Sequence, residues 1–397
     1  GYRLGDSSQL AVRSVWTDLA EAQGADQVGF RSDLQENIED LRVRYRDQEI
    51  FNLQLSGDHF LNGVGQSGSI FEWRASNSTA ETDEDWRQNT YEDLQGTLTL
   101  TNAGNAGFLY YNSLEDDLLD GRADWSTMFS GDRAFGSLKV GAMYNEAQRD
   151  FASRRFRFFP LSSRGVDRTL PAEEIFTEEF IGPNYQLREI TNVTDTYAGD
   201  QEVLGGYAQG DYTRGKWRFI AGVRVEDNTQ DVITFDRRDS NQDPVVSSLS
   251  DTDVLPSLTL VYSLTDNQSL RASYGRTVNR PEFRELAPFE FRPLVGGLTT
   301  VGNPDLVRAT IDSLDVRWEW FPNAGEVIAA SLFYKDFTDP IEAVLIGGAT
   351  QSQTYDNAQG ATNQGFELEV RKRFSQGGFW EAFTGIVNYT WVDSEIE

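Results

Sequence analysis

The sequence predicts an all-β fold, an antiparallel transmembrane β-barrel in which residues 1–397 form one barrel segment. The first reason is composition, because 35 glycines, 12% aromatic residues, two methionines and no cysteine suit strands better than a helical bundle. The second is an alternation of apolar and polar residues with a period of two. The third is the spacing of turns, which separates short turns from long polar segments.

The alternation is clearest in the stretch from Trp217 to Glu226, where one side is apolar and the other is mostly polar. In a wide barrel the apolar side of a strand meets lipid and the polar side lines the lumen, where buried charges must pair. The residues predicted to face lipid are Phe219, Val223, Leu270, Ala272, Tyr274, Leu314 and Val316. The residues predicted to face the lumen are Arg218, Arg224, Arg271, Arg317 and Glu367.

Turns rich in glycine, asparagine and aspartate recur at intervals of roughly 50 to 80 residues, which is room for two strands of about 11 to 16 residues and a long polar segment. A soluble sandwich would show a turn about every 8 to 12 residues instead. We therefore predict thirteen strands, near residues 8–20, 42–60, 67–78, 120–130, 136–148, 199–213, 216–231, 250–264, 267–279, 305–320, 325–337, 362–374 and 378–392.

Charge and hydropathy exclude several classes of protein. A formal net charge of -28 opposes nucleic-acid binding, which needs clustered lysine and arginine. The mean hydropathy is -0.50, and the apolar runs fall short of the roughly 18 residues that a membrane helix needs. Without cysteine there is no disulfide and no thiolate nucleophile, and we expect no cofactor, no metal site and no nucleic-acid partner.

Two motifs suggest chemistry, and both have simpler explanations. Gly63, Gly65 and Gly68 match the GxGxxG pattern of dinucleotide-binding folds, but the residues after Gly68 continue as a strand where that motif must open a helix. A turn is predicted there. His59 is the only histidine, so a barrel enzyme would depend on that one residue. Its place at a strand end predicts an interfacial role.

Charged segments between the predicted strands allow two interpretations each. The carboxylates of residues 81–85 could bind Ca²⁺, but they lack the ligand spacing of a known calcium loop, so solvated loop charge is favoured. The carboxylates of residues 115–120 are likewise expected in a loop. The run 154–159 alternates arginine with phenylalanine. It either holds an anionic ligand or a lipopolysaccharide phosphate, or forms the upper end of a strand.

Residues 149–198, 232–249 and 280–304 are predicted to lie outside the cell, because short turns occupy the opposite rim and segments of this length are usually functional or disordered. Arginine forks bind carboxylates and phosphates, and aromatic rings add contact area. The predicted ligand-facing residues are Arg154, Arg155, Phe156, Arg157 and Phe158 at one mouth, with Arg280, Phe283, Arg284 and Phe289 at another.

Three stretches between residues 255 and 370 resemble TonB-dependent outer-membrane receptors in their order and spacing. The first is LPSL at 255–258 with LRASYGRT at 270–277 and RPEFREL at 280–286. The second is GNPDL at 302–306 with SLFYKD at 331–336, and the third is YDN at 355–357 with GFELE at 365–369.

The resemblance implies a barrel of about 22 strands around an N-terminal plug, with the plug and the last strands outside this chain. It implies a non-enzymatic importer in the bacterial outer membrane, which takes up a scarce bulky nutrient such as an iron–siderophore, a glycan or cobalamin. The implied partners are a TonB-type energy-coupling protein acting through the plug, the nutrient, outer-membrane lipid and lipopolysaccharide. The alternatives are a passive porin, a barrel enzyme and a soluble carbohydrate-binding sandwich.

Overall fold

The computed structural model describes residues 1–31, 36–94, 96–101, 107–235, 243–288, 290–291, 298–347, 352–374 and 383–397. The strands are β1 (Tyr2–Leu4), β2 (Ser8–Arg31), β3 (Glu36–Leu61), β4 (Ser69–Asp93), β5 (Leu98–Leu100), β6 (Phe108–Gly131), β7 (Ala134–Pro160), β8 (Tyr185–Glu189), β9 (Thr196–Arg214), β10 (Trp217–Phe235), β11 (Pro244–Thr265), β12 (Gln268–Asn279), β13 (Glu290–Phe291), β14 (Thr299–Val301), β15 (Ala309–Trp320), β16 (Val327–Thr338), β17 (Ile341–Ile346), β18 (Ser352–Asn357), β19 (Gly360–Arg373) and β20 (Thr384–Ile396). The helices are α1 (Ala172–Ile175), α2 (Phe283–Leu286) and a 3-10 turn at Val193–Asp195. Within this part of the chain, no helix is both long and apolar enough to span a membrane.

The main sheet is an antiparallel meander that confirms the predicted fold class. Its strand order is β1-β2-β3-β4-β6-β7-β9-β10-β11-β12-β15-β16-β19-β20, with β5 added to β4 and β8 to β7. The sheet is open across the described residues, with β1 and β20 at its edges. A second sheet of four strands, β13-β14-β18-β17, joins the segments that follow β12 and β16.

The predicted strands and short turns lie where the sequence placed them. Each of the thirteen predicted strands coincides with a long strand of the main sheet. Residues 375–382, which include the turn expected between the strands predicted at 362–374 and 378–392, lie outside the described residues. Gly63, Gly65 and Gly68 form the β3–β4 turn with φ values of 79°, 78° and 83°, where glycine avoids the clash of a side chain. The dinucleotide-like motif is therefore a turn.

The first long strands extend much further than predicted. Strands β2, β3, β4, β6 and β7 have 24, 26, 25, 24 and 27 residues. Residues 81–85 and 115–120, expected in loops, lie within β4 and β6, and residues 149–160, 232–235 and 244–249 extend β7, β10 and β11. Where both faces of a strand meet water, the apolar alternation that identifies it is lost. The prediction of loops at these positions was wrong for that reason.

The register places the residues predicted to face lipid on one side of the sheet. Directly opposed residues share a face, and Phe219, Leu260, Ala272, Val316 and Leu332 are successive partners from β10 to β16. The other four residues of the set, Val223, Leu270, Tyr274 and Leu314, follow the same parity in their strands. Val223, Leu270 and Leu314 are exposed by 43%, 40% and 50%, as an apolar surface without a protein partner would be.

The residues predicted to face the lumen lie on the opposite side. Arg218, Val261, Arg271, Arg317, Ser331 and Glu367 are successive partners across the sheet. The arginines of this face form ion pairs, Arg218–Asp211 at 2.5 Å, Arg224–Glu226 at 2.5 Å, Arg271–Glu319 at 3.6 Å, Arg317–Glu319 at 2.9 Å and Arg317–Glu369 at 2.9 Å. A polar face in a low-dielectric wall requires such pairing. Which of the two faces meets lipid stays a prediction.

Two hydrophobic clusters hold the long segments against the sheet. The first consists of Tyr197 and Val232 from the sheet with Phe283, Leu286, Ala287 and Leu306. The second consists of Tyr91, Leu100, Ile175 and Tyr185. These segments are therefore packed structures with cores of their own.

Candidate anion-binding site

Three arginines of β3 project from a single face of the sheet. Arg42, Arg44 and Arg46 are spaced two residues apart, and successive side chains of a strand point to opposite faces. The register from β3 through β9 to β10 puts them on the polar face that carries Arg224. The strand thus presents three positive charges in a row.

An aromatic stack separates two of the arginines in this region. Arg44, Trp86, Tyr110 and Arg155 are successive partners in β3, β4, β6 and β7. The rings of Trp86 and Tyr110 lie 3.7 Å apart and are tilted by 3°. The guanidinium carbon of Arg42 lies 4.0 Å from the Trp86 ring and that of Arg155 lies 5.6 Å from the Tyr110 ring. The ring faces attract these cations and hold them in place.

These side chains line a cavity of 360 Å³, which falls within the range of about 300 to 1,000 Å³ typical of ligand pockets. The described residues on its wall include six arginines and one carboxylate, that of Glu84. The arginines are Arg42, Arg44, Arg46, Arg149, Arg155 and Arg284. The wall therefore suits a negatively charged ligand.

Carboxylates orient several of these arginines. The pairs are Arg46–Glu84 at 2.8 Å, Arg44–Glu21 at 3.3 Å, Arg149–Asp116 at 2.5 Å and Arg155–Asp195 at 3.1 Å. The buried Nε of Arg44 has no hydrogen-bond partner among the described residues. A guanidinium group has five N–H donors in a rigid fork, so one carboxylate partner leaves donors for a ligand.

Arg284 reaches the cavity from α2, in the segment that follows β12. It lies in the same cavity as Arg42 of β3, so the sheet curves around its polar face. Burial lowers the pKa of Arg284. Arginine nevertheless stays protonated in proteins, and burial in a medium of low dielectric strengthens its attraction to an anion.

The structure brings together two of the predicted ligand-facing residues, Arg155 and Arg284, which the sequence had placed at different mouths. The neighbouring Arg154 lies on the opposite face and donates two hydrogen bonds of 3.1 Å to Glu189. Phe156 shares that face. Because residues 154–159 belong to a strand, only every second side chain of the run points toward the cavity.

The remaining predicted ligand-facing residues have other surroundings. Arg157 lies over the rings of two phenylalanines, and Phe158 packs against the second hydrophobic cluster. Arg280 is paired with carboxylates of the sheet, and Phe283 is buried in the first cluster. Phe289 lies outside the described residues.

His59 lies far from the cavity, near the β3–β4 turn and on the apolar face. Its Nε2 accepts a hydrogen bond of 3.1 Å from Nε1 of Trp73, and its Nδ1 lies 3.1 Å from Oγ of Ser8. The interfacial role of His59 stays a prediction. In the described ranges, no group of three acidic or histidine side chains could hold a metal ion, and residues 81–85 alternate between the two faces of β4.

Sequence reasoning missed most of the cavity wall. The signal was present in the run Arg42-Val-Arg-Tyr-Arg46, since arginine at every second position of a strand puts like charges on one face. Such a row is costly unless a partner or ligand balances it. The partners on β4 and β6 could not be named without the register.

A family model described as TonB dependent receptor-like, beta-barrel, matches residues 2–397. The chain belongs to this family. The predicted resemblance is confirmed, and so is the location, because TonB-dependent receptors lie in the outer membrane of Gram-negative bacteria. A search of curated proteins found no match.

Solved structures with a similar fold are outer-membrane receptors of low sequence identity. The unliganded ferric citrate transporter FecA aligns with a TM-score of 0.51 and 11% identity over 98% of this chain and 60% of the transporter. The ferric-catecholate import receptor Fiu from E. coli K12 aligns with a TM-score of 0.46 and 12% identity over 99% of this chain and 65% of Fiu. The ferric yersiniabactin uptake receptor FyuA from Yersinia pestis aligns with a TM-score of 0.48 and 12% identity over 100% of this chain and 58% of FyuA. This chain therefore spans 58% to 65% of the length of these receptors, and the likeness to FecA shows the fold alone.

Proposed function

We propose that the protein imports a scarce, bulky and anionic nutrient by TonB-dependent transport, with an iron–siderophore complex as the first class to test. Family membership supports the transport mechanism. The names of FecA, Fiu and FyuA refer to ferric citrate, ferric-catecholate and ferric yersiniabactin. The cavity lined by six arginines is the observation that supports a negatively charged ligand.

In this proposal the arginine forks of the cavity grip carboxylate or phenolate oxygens of the chelate in bidentate pairs. The stacked rings of Trp86 and Tyr110 offer a flat surface to any aromatic part of the ligand. Capture needs no catalytic group. The energy for release comes from a TonB-type protein that acts on a plug lying against the polar face of the sheet.

The ligand part of the proposal is tested with Arg155→Ala and Arg284→Ala combined in the full-length receptor. Charge-assisted hydrogen bonds contribute about 1.5 to 3 kcal/mol each, so loss of both arginines weakens capture at least about a hundredfold. The measurement is binding and uptake of radioactive iron presented as ferric citrate and as ferric catecholates. Arg154→Ala is the matched control, since it removes the adjacent arginine from the opposite face. Undiminished binding in the double variant would refute the site.

The transport mechanism is tested separately by removing the energy-coupling protein from the cells. A TonB-dependent importer then retains binding and loses uptake. A passive porin keeps its uptake, because diffusion through an open lumen needs no coupling. Continued uptake would replace the proposal with the porin alternative.

A further inference from the structure

One buried carboxylate joins the two ends of the segment between β12 and β15. Oδ2 of Asp253 lies 2.8 Å from Nη2 of Arg280, at the start of the segment. Oδ1 of the same side chain lies 2.7 Å from Nε of Arg308, at its end. Asp253 is 4% exposed. Asp253 accepts a hydrogen bond from Arg280 and forms an ion pair with Arg308, so this buried carboxylate restrains both arginines.

The contact network continues into strand β10 of the main sheet. Nη1 of Arg280 lies 2.9 Å from Oε2 of Glu226, whose other oxygen lies 2.5 Å from Nε of Arg224. Nε2 of Gln230 donates a hydrogen bond of 2.8 Å to the carbonyl of Pro281. The charges alternate in sign along this chain of pairs, so the loss of one member leaves its neighbours buried and unpaired.

Between its two anchored ends, the segment packs against strand β9 at a glycine. The ring of Phe283 lies over Gly199 of β9, where a Cβ atom would come within 2.7 Å of the ring. Leu286 and Leu306 pack beside it in the first hydrophobic cluster. This packing puts the next residue of α2, Arg284, into the cavity.

We propose that Asp253 is a positioning residue for the anion site, which acts by latching the segment so that Arg284 stays in the cavity. Asp253 is not among the residues of the cavity wall, so its effect passes through Arg284. The proposal rests on the proposed function for its biological meaning. The latch fixes the position of the Arg284 side chain, which can be measured without any ligand.

The test is the rate at which phenylglyoxal, which reacts with guanidinium groups, modifies individual arginines of the full-length receptor in outer-membrane vesicles. Mass spectrometry follows Arg284 together with two internal references, Arg46 on the β3 wall and the exposed Arg154. In Asp253→Asn we expect Arg284 to react several-fold faster while both references keep their rates. Asp251→Asn is the matched control, because Asp251 makes only a longer contact of 3.4 Å to Arg308.

An unchanged rate at Arg284 in Asp253→Asn would overturn the latch. Equal acceleration of Arg284 and Arg46 would also overturn it, since that outcome indicates general loosening of the barrel. If Asp253→Asn fails to fold, Arg308→Gln releases only the far end of the segment, and the same selective acceleration is expected. Because phenylglyoxal needs no siderophore, failure of the ligand proposal leaves this result standing.

Discussion

Strands β2, β3, β4, β6 and β7 of the main sheet are about twice as long as β12, β15 and β16. Strands β3 and β7 have 26 and 27 residues, whereas β12, β15 and β16 have 12 each. A tilted strand needs about 9 to 11 residues to cross a bilayer. The short strands are therefore long enough to cross a bilayer, and the long ones exceed that length by about 15 residues, or roughly 50 Å.

The two regions contribute different parts of the candidate site. The long strands form a wall whose polar face bears Arg44 and Arg155, held in place by cross-strand neighbours. The short strands leave their connecting segments free to fold inward, and one of these supplies Arg284. The cavity exists because the long strands face a folded segment that is anchored on β9, β10 and β11.

The largest expected effect is a difference in stability cost between a charge placed in the predicted lipid belt and one placed in the long strands beyond it. Val223→Arg puts a charge on the apolar face within the belt and is expected to destabilise the barrel by about 2 to 4 kcal/mol. Val28→Arg, at a position of β2 that is 78% exposed and far from the short turns, is expected to change stability by less than about 0.5 kcal/mol. The measurement is urea unfolding of the receptor in lipid vesicles. Equal costs at the two positions would mean that the belt has been misplaced.

A smaller effect is expected where the inward segment meets the wall. Gly199→Ala forces the Phe283 ring away, and overpacking of this kind costs about 1 to 3 kcal/mol. Gly275→Ala is the matched control, because a Cβ atom there meets nothing within 4 Å. Both changes are compared by urea unfolding and by protease cleavage within residues 280–308. Equal protection of the segment in the two variants would show that Phe283 does not depend on the glycine.

The aromatic stack of Trp86 and Tyr110 is expected to contribute less to stability than the packing of Phe283 on Gly199. Tyr110→Leu removes the partner of Trp86, and aromatic pairs contribute about 0.5 to 1.5 kcal/mol beyond their buried area. Tyr45→Leu, on the opposite face of the wall and 48% exposed, is the comparison. Loss of stability from both changes alike would argue against a special role for the stacked pair.

Much of the sheet was predictable because apolar and polar residues alternate with a period of two along its strands. The two faces around Phe219 and Arg218 follow from that alternation, and the turn at Gly63 to Gly68 follows from its glycines. The wall was not predictable as strand, since its carboxylates at residues 81–85 and 115–120 occur on faces that both meet water. Local sequence carries no sign there that the strand continues.

The candidate site was predictable only in part. The arginines at 155 and 284 stood out because each lies beside aromatic residues in a long segment. They are separated by 128 residues of chain, and that they line one cavity depends on the curvature of the sheet, which local sequence does not reveal. Arg280 was assigned to the ligand because an exposed loop was assumed, whereas its fork is occupied by Glu226 and Asp253.

The smallest effect is expected in a short turn, at the end of the sheet that the two regions share. Glu326 in the β15–β16 turn accepts hydrogen bonds from Nζ of Lys372 at 3.0 Å, from Nδ2 of Asn323 at 2.8 Å and from the backbone N–H of Arg373 at 3.2 Å. The hydrogen bond from Lys372, followed by that from Asn323, lowers the pKa of Glu326. A carboxyl group with a lowered pKa stabilises the folded state above its unfolded pKa of about 4.3, and this contribution is lost as the pH falls through the folded value.

Hydrogen exchange at the amide of Arg373 reports on this turn directly. In the wild type, protection of that amide should be constant near neutral pH and decline below the unfolded pKa, after correction for the intrinsic exchange rate. Glu326→Gln keeps the size of the side chain and removes its titration, so its protection should be lower at neutral pH and should no longer decline with acid. A wild-type profile that matches the glutamine variant at every pH would show that the buried carboxylate does not hold the turn.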